Sequence, residues 1–169
     1  MGLDIYFNKT TKEMFQTAKS TNNFSTIKET EMAYFRKVNC LLPFFGYEDN
    51  ISYLAIEKCQ IEDLLKTAKE LLEVYVSIDE QLQLHKKDLQ TYKGDKKTTK
   101  LIQQKIDNLW EEFATIAKEK LPTTTGFFFG YTEYRDYYIA DLMDIVEMFT
   151  KIIDETDFDT EQIYMYCWW

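Results

Sequence analysis

His85 is the single histidine of the chain, and Cys40, Cys59 and Cys167 are its three thiols. A hydroxyl or thiol nucleophile needs a base within hydrogen-bond reach, and His85 is the only imidazole that could serve. One histidine also excludes a His-rich metal site. The cysteine spacing fits no zinc or redox motif, and an odd count points to free, buried thiols in a reducing compartment. Gly126 and Gly130 bracket three phenylalanines rather than a phosphate loop: no Lys-Ser/Thr follows, and rings occupy positions where backbone must approach phosphate. The favoured reading of that segment is a buried aromatic plug with glycines at its turns; the functional alternative is an aromatic wall for a ligand or partner. No metal or cofactor is expected.

Charge is the second source of chemistry. Residues 141–161 carry eight acids against Lys151 alone. Nothing in their spacing marks a glycosidic acid–base pair, and a magnesium site is unspecific. A solvated acidic face is the plainer reading; the sharper one is a patch that mimics phosphate charge and occupies the basic nucleic-acid groove of a partner protein, through Asp154, Asp157 and Asp159. Residues 86–100 have the opposite sign, six lysines against Asp88 and Asp95. Lys93, Lys96 and Lys97 are candidates there for contact with an acidic patch or an RNA backbone. The segment lacks the arginine and aromatic interleaving of a base-reading surface, so direct nucleic-acid contact stays open. Two polar–aromatic clusters, Tyr34–Asn39 and Tyr131–Tyr138, would form a ligand pocket if they met. Arg36, Lys37, Asn39, Tyr134 and Tyr138 would supply guanidinium, ammonium, amide and phenol groups to it.

The elements that must position these groups follow from periodicity. Ile61, Leu64, Leu65, Ala68, Leu71, Leu72 and Tyr75 share one helical face. From Leu71 the apolar gaps alternate 4 and 3 through Tyr75, Ile78, Leu82, His85, Leu89 and Tyr92, a heptad seam that makes His85 a packed residue. After a polar break around Gly94 the pattern resumes at Ile102, Ile106, Leu109, Phe113 and Ile116. The spacing predicts an antiparallel helical hairpin over about 61–121, with a first arm about 48 Å long at 1.5 Å per residue. It should project beyond a small body. Leu3, Ile5 and Phe7 predict a strand, as do 51–56 and 162–169, the last returning beside the first. Residues 9–30 read as loop with a short helix near 13–18. Phe35, Val38, Leu42 and Phe45 predict a helix after Thr30, stopped by Pro43 and Gly46. Thr132 would cap a last helix striped by Tyr134, Tyr138, Leu142, Ile145, Phe149 and Ile152.

The sum is an α+β fold, predominantly helical: a small antiparallel sheet from N- and C-terminal strands packed on helices, with a protruding helical hairpin. The 169 residues suit one domain, and 45% apolar content with only five Gly and two Pro excludes disorder. A net charge of −9 disfavours nucleic acid and anionic membrane as partners. No apolar run approaches the roughly 20 residues of a membrane span, and Met1-Gly2-Leu3-Asp4 lacks the features of a signal peptide. A soluble cytoplasmic protein is expected.

Met1-Gly2-Leu3-Asp4-Ile5-Tyr6, Tyr34-Phe35-Arg36-Lys37-Val38-Asn39 and Leu121-Pro122-Thr123-Thr124-Thr125-Gly126-Phe127-Phe128-Phe129-Gly130 resemble the motifs of a family of bacteriophage and prophage proteins. Thr132, Tyr134 and Tyr138 match the Thr-x-Tyr-x-x-x-Tyr that follows in that family. The likeness covers both ends of the chain and the middle motif, about half of the residues. Phe35 stands where the family usually has Trp, and the heptad hairpin looks like an elaboration of a shorter middle. The resemblance implies a phage-type origin and, with it, action on the host: a non-enzymatic inhibitor of a bacterial defence system in the host cytoplasm. Its most concrete form is an anti-CRISPR-like protein that binds an RNA-guided effector nuclease with its guide RNA. The alternative is a protein that sequesters a nucleotide signal.

Overall fold

The computed structural model describes residues 2–47, 53–126 and 128–169. They form four strands and five helices in the order β1 (Asp4–Thr11), α1 (Lys12–Thr21), β2 (Thr30–Arg36), α2 (Leu41–Phe45), β3 (Leu54–Ile56), α3 (Lys58–Thr91), α4 (Lys96–Lys120), α5 (Asp136–Glu155) and β4 (Glu161–Trp168). The fold is α+β, with a four-stranded antiparallel sheet ordered β2-β1-β4-β3. The expected return of the last strand to the first is present: Asp4 lies opposite Trp168 and Thr11 opposite Glu161. Residues 51 and 52 of the expected middle strand lie outside the described residues.

Alternation sets the two faces of the sheet. Ile5, Phe7, Phe35, Ile163 and Met165 point inward and are buried. α5 lies on that face, where Phe149 meets Phe7 edge-on at 4.8 Å and stacks on Phe35 at 5.6 Å. α3 packs against α5, and α4 against α3. Lys9 also points inward, at the margin of the core. Its ammonium donates to the Glu155 carbonyl at 2.7 Å and pairs with Glu161 at 3.1 Å, placing a cation on the negative end of α5.

The hairpin has the predicted form. Glu57 opens α3 in a reciprocal capping box with Gln60. Asp95 caps α4, accepting from Lys97 N–H at 3.0 Å and Thr98 N–H at 3.4 Å. Lys120 and Glu70 pair at 2.5 Å across the base of the arms. Lys86 and Asp136 pair at 3.3 Å, and Arg135 reaches Asp107 at 3.0 Å. The start of α5 is therefore level with these positions, and α3 and α4 continue past it to the tip. The buried face of α4 is Ile102, Ile106, Trp110, Phe113 and Ala117, with Leu109 and Ile116 half-buried. A straight helix drifts against a strict seven-residue repeat, which brings Trp110 into the seam, where it stacks on Tyr75 at 6.0 Å.

Three local expectations need correction. Thr30–Arg36 is a strand, not a helix. Phe35, Val38, Leu42 and Phe45 are all buried, but they reach the core from a strand, a turn and the short helix α2. Their helical spacing is coincidental, and Pro43 sits in the first turn of α2, where its missing N–H costs nothing. The short helix expected near 13–18 is present but longer, as α1, and 9–11 is strand rather than loop: β1 runs to Thr11, whose hydroxyl caps α1 by accepting from Met14 N–H at 3.2 Å. α1 buries only Phe15 and Ala18, too few anchors to make a periodic signal. The last helix starts at Asp136 with Arg135 as its cap residue, so Thr132 does not cap it and Tyr134 precedes it.

Candidate functional site

The two polar–aromatic clusters meet. Lys37, at φ 65, turns the chain out of β2; its N–H donates to the Leu3 carbonyl at 2.8 Å. Two residues on, Asn39 is 2% exposed and fastens the 123–131 loop. Its amide donates to the carbonyls of Phe129 at 3.1 Å and Tyr131 at 2.9 Å, and its oxygen accepts from Thr124 N–H at 3.1 Å. The Tyr134 hydroxyl accepts from Thr123 N–H at 2.9 Å, and the Tyr138 hydroxyl donates to the Leu121 carbonyl at 2.8 Å. Leu3 N–H reaches the Phe128 carbonyl at 3.3 Å. The glycines follow from this closeness. A Cβ on Gly126 would lie 2.5 Å from the Phe129 ring, and one on Gly130, at φ 93, would lie 2.8 Å from the Lys37 Cβ.

Three of the five candidate ligand residues are thus engaged with backbone. Asn39, Tyr134 and Tyr138 hold the loop, while Arg36, at 4.0 Å from Asp4, and Lys37 lie beside it. These two line a cavity of about 170 Å³ with Tyr131, Glu133, Tyr137, Tyr138 and Asp141. Tyr131 and Tyr137 stack at 4.7 Å with their planes 2° apart, and both are mostly exposed. Asp141 was not singled out from sequence beyond its place in the acidic run. It stands one turn after Tyr137 and Tyr138 on α5, a spacing that could have flagged it. Burial first, and the Asp144 carboxylate second, push its carboxyl up to about 7. The Tyr138 phenol is raised by burial as well.

The charged candidates fall at opposite ends. Lys93, Lys96 and Lys97 are exposed at the hairpin tip. Asp154 and Asp159 are exposed at the far end, around the exit of α5. Asp157 also lies there but is committed to its turn: it accepts from the Thr160 hydroxyl at 2.9 Å and from Asp159 N–H at 3.1 Å, which hold its carboxyl below the usual range. α3 alone spans about 51 Å at 1.5 Å per residue, so the two sets cannot form one compact footprint.

Among the described residues His85 has no hydrogen-bond partner at Nδ1. It is half-buried on α3 with Nδ1 3.8 Å from Asp88, too long for a hydrogen bond. Cys59, on the same helix, is about 39 Å away at 1.5 Å per residue. Burial raises the Cys40 thiol far above its ordinary value and takes Cys167 up to about 12. Among the described residues no three of His, Cys, Asp and Glu converge as a metal site, and no helix is long and apolar enough to cross a membrane.

The chain matches no family model, no curated protein and no solved structure.

Proposed function

We propose that this chain is a non-enzymatic, phage-type inhibitor that works by binding a bacterial defence effector in the host cytoplasm. The most concrete target is an RNA-guided nuclease carrying its guide. One observation carries the reading: an acidic protein displays a lysine cluster, Lys93, Lys96 and Lys97, exposed at the tip of a two-helix arm. Lys96 and Lys97 lie in the first turn of α4, where the helix dipole is already positive. Cations there are locally unfavourable, and together with Lys93 they make one end of a −9 protein positive. The tip suits RNA backbone or an acidic patch, while Asp154 and Asp159 at the other end suit basic protein surface.

The test is capture from a bacterial host lysate, comparing intact protein with a Lys93→Glu/Lys96→Glu/Lys97→Glu variant, followed by titration of the captured effector. The variant should bind at least about tenfold more weakly, and binding of the intact protein should weaken with salt. Affinity unchanged by either would overturn the reading. Sequestration of a nucleotide signal is less favoured: the cavity beside Arg36 and Lys37 is about 170 Å³, below the roughly 300 Å³ of ordinary small-molecule sites. Thermal stabilisation by saturating cyclic or adenine nucleotides would reverse that preference.

A further inference from the structure

The sheet face turned away from α5 carries a continuous row of aromatic rings. Tyr34 on β2 lies 5.1 Å from Tyr6 on β1, which stacks on Tyr166 of β4 at 4.8 Å and 10°. Tyr166 lies 5.5 Å from Tyr53, just before β3, which stacks on Phe24 at 3.9 Å. α1 and the segment after it cover only one end of this face, where Phe15 packs on Tyr164 at 5.4 Å. The other end is open: Tyr34 is 41% exposed and Trp168 68%. Trp168 lies opposite Asp4, and Asp4 opposite Arg36, in the row next to the tyrosines.

This face is acidic. Asp4 accepts the Tyr34 phenol at 2.5 Å, Glu29 accepts the Tyr164 phenol, and Glu31 stands exposed opposite Asn8. Arg36 is the only cation on the strand rows from Asp4 to Asn8. It is 4.0 Å from Asp4, and its side chain is 62% exposed, so it neutralises little. The carboxylates act on the rings themselves: the Tyr166 phenol is raised by burial first and then by Glu29, with Glu31 contributing.

We infer that this face is a docking surface for an arginine-rich protein segment. Guanidinium planes stack on phenol and indole faces and pair with carboxylates at the same time, which an ammonium does less well. Exposed aromatics on a sheet also suit nucleic-acid bases, but phosphates would then meet Asp4, Glu29 and Glu31. Charge therefore favours the peptide. The surface is separate from the hairpin tip and stands whichever partner the tip engages.

Calorimetric titration with an arginine–glycine repeat peptide tests this, with a lysine–glycine peptide of equal charge and a single-stranded oligonucleotide as comparisons. The arginine peptide should bind saturably and about tenfold tighter than the lysine peptide. Tyr34→Ser combined with Trp168→Ser should weaken it about tenfold, and Glu31→Lys at least about threefold. The tip variant with three lysines reversed should bind it unchanged. Should the double variant not fold, Glu31→Lys carries the comparison alone. Absence of saturable binding, equal affinity for the two peptides, indifference to Glu31→Lys, or tighter binding of the oligonucleotide through Tyr34 and Trp168 would each overturn the assignment.

Discussion

Asp141 sits on the cavity wall with its carboxyl pushed up to about 7 from an ordinary 3.8. Between those values the folded protein holds a proton that the unfolded chain has released. Stability therefore falls as pH rises from about 4 to about 7, and the penalty persists above that range. Asp141→Asn should remove this slope and stabilise the protein near pH 8 by about 1–2 kcal/mol, a figure reduced for partial solvent screening. Thermal melts of both proteins across that window check it. Asn39 predicts the opposite direction. Asn39→Ala would strand three backbone groups of the 123–131 loop and should cost about 3 kcal/mol in urea denaturation. The sequence marked Asn39, Tyr134 and Tyr138 as unusual but could not tell a ligand contact from a loop clasp. Amides and phenols serve both, and only the positions of the Phe129, Tyr131 and Leu121 carbonyls and the Thr123 N–H decide.

Among the elements, those with long one-faced periodicity were readable and those defined by distant partners were not. α3 and α4 were legible because each carries its own seam. β2 was misread because Phe35 shares helical spacing with residues that reach the core by other routes; pairing with β1, which no local window contains, makes it a strand. α4 is held chiefly by α3, and Trp110 is 3% exposed at their contact. Trp110→Ala should loosen the arm while leaving the sheet in place. Hydrogen exchange should accelerate across 96–113 and remain slow in β1 and β4. Lys9 ties β1 to the exit of α5. Lys9→Met keeps the aliphatic stem and removes the charge, so it should cost about 1 kcal/mol, measured by equilibrium unfolding.

For the molecule as a whole, composition and pattern gave the α+β class, and the pairing of the first strand with the last could be anticipated from their β-prone ends. The convergence of segments 2–6, 34–39 and 121–130 on one clasp could not, since it depends on how Leu3, Asn39 and Phe128 approach one another in space. Nor could the tyrosine row, whose members come from separate strands and align only through register. One feature of this topology governs biosynthesis. β4 is an interior strand to which β1 and β3 both hydrogen-bond, yet it is translated after everything else in the sheet. A nascent chain that has cleared the ribosomal tunnel only through α5 can zip α3 to α4, whose contacts are near in sequence, but must leave β1 half-paired. Ribosome-stalled chains halted before Glu161–Trp168 emerge should yield a protease-resistant arm and a degradable β1–β2 segment. Resistance of β1–β2 should arrive in a single step once those eight residues are free.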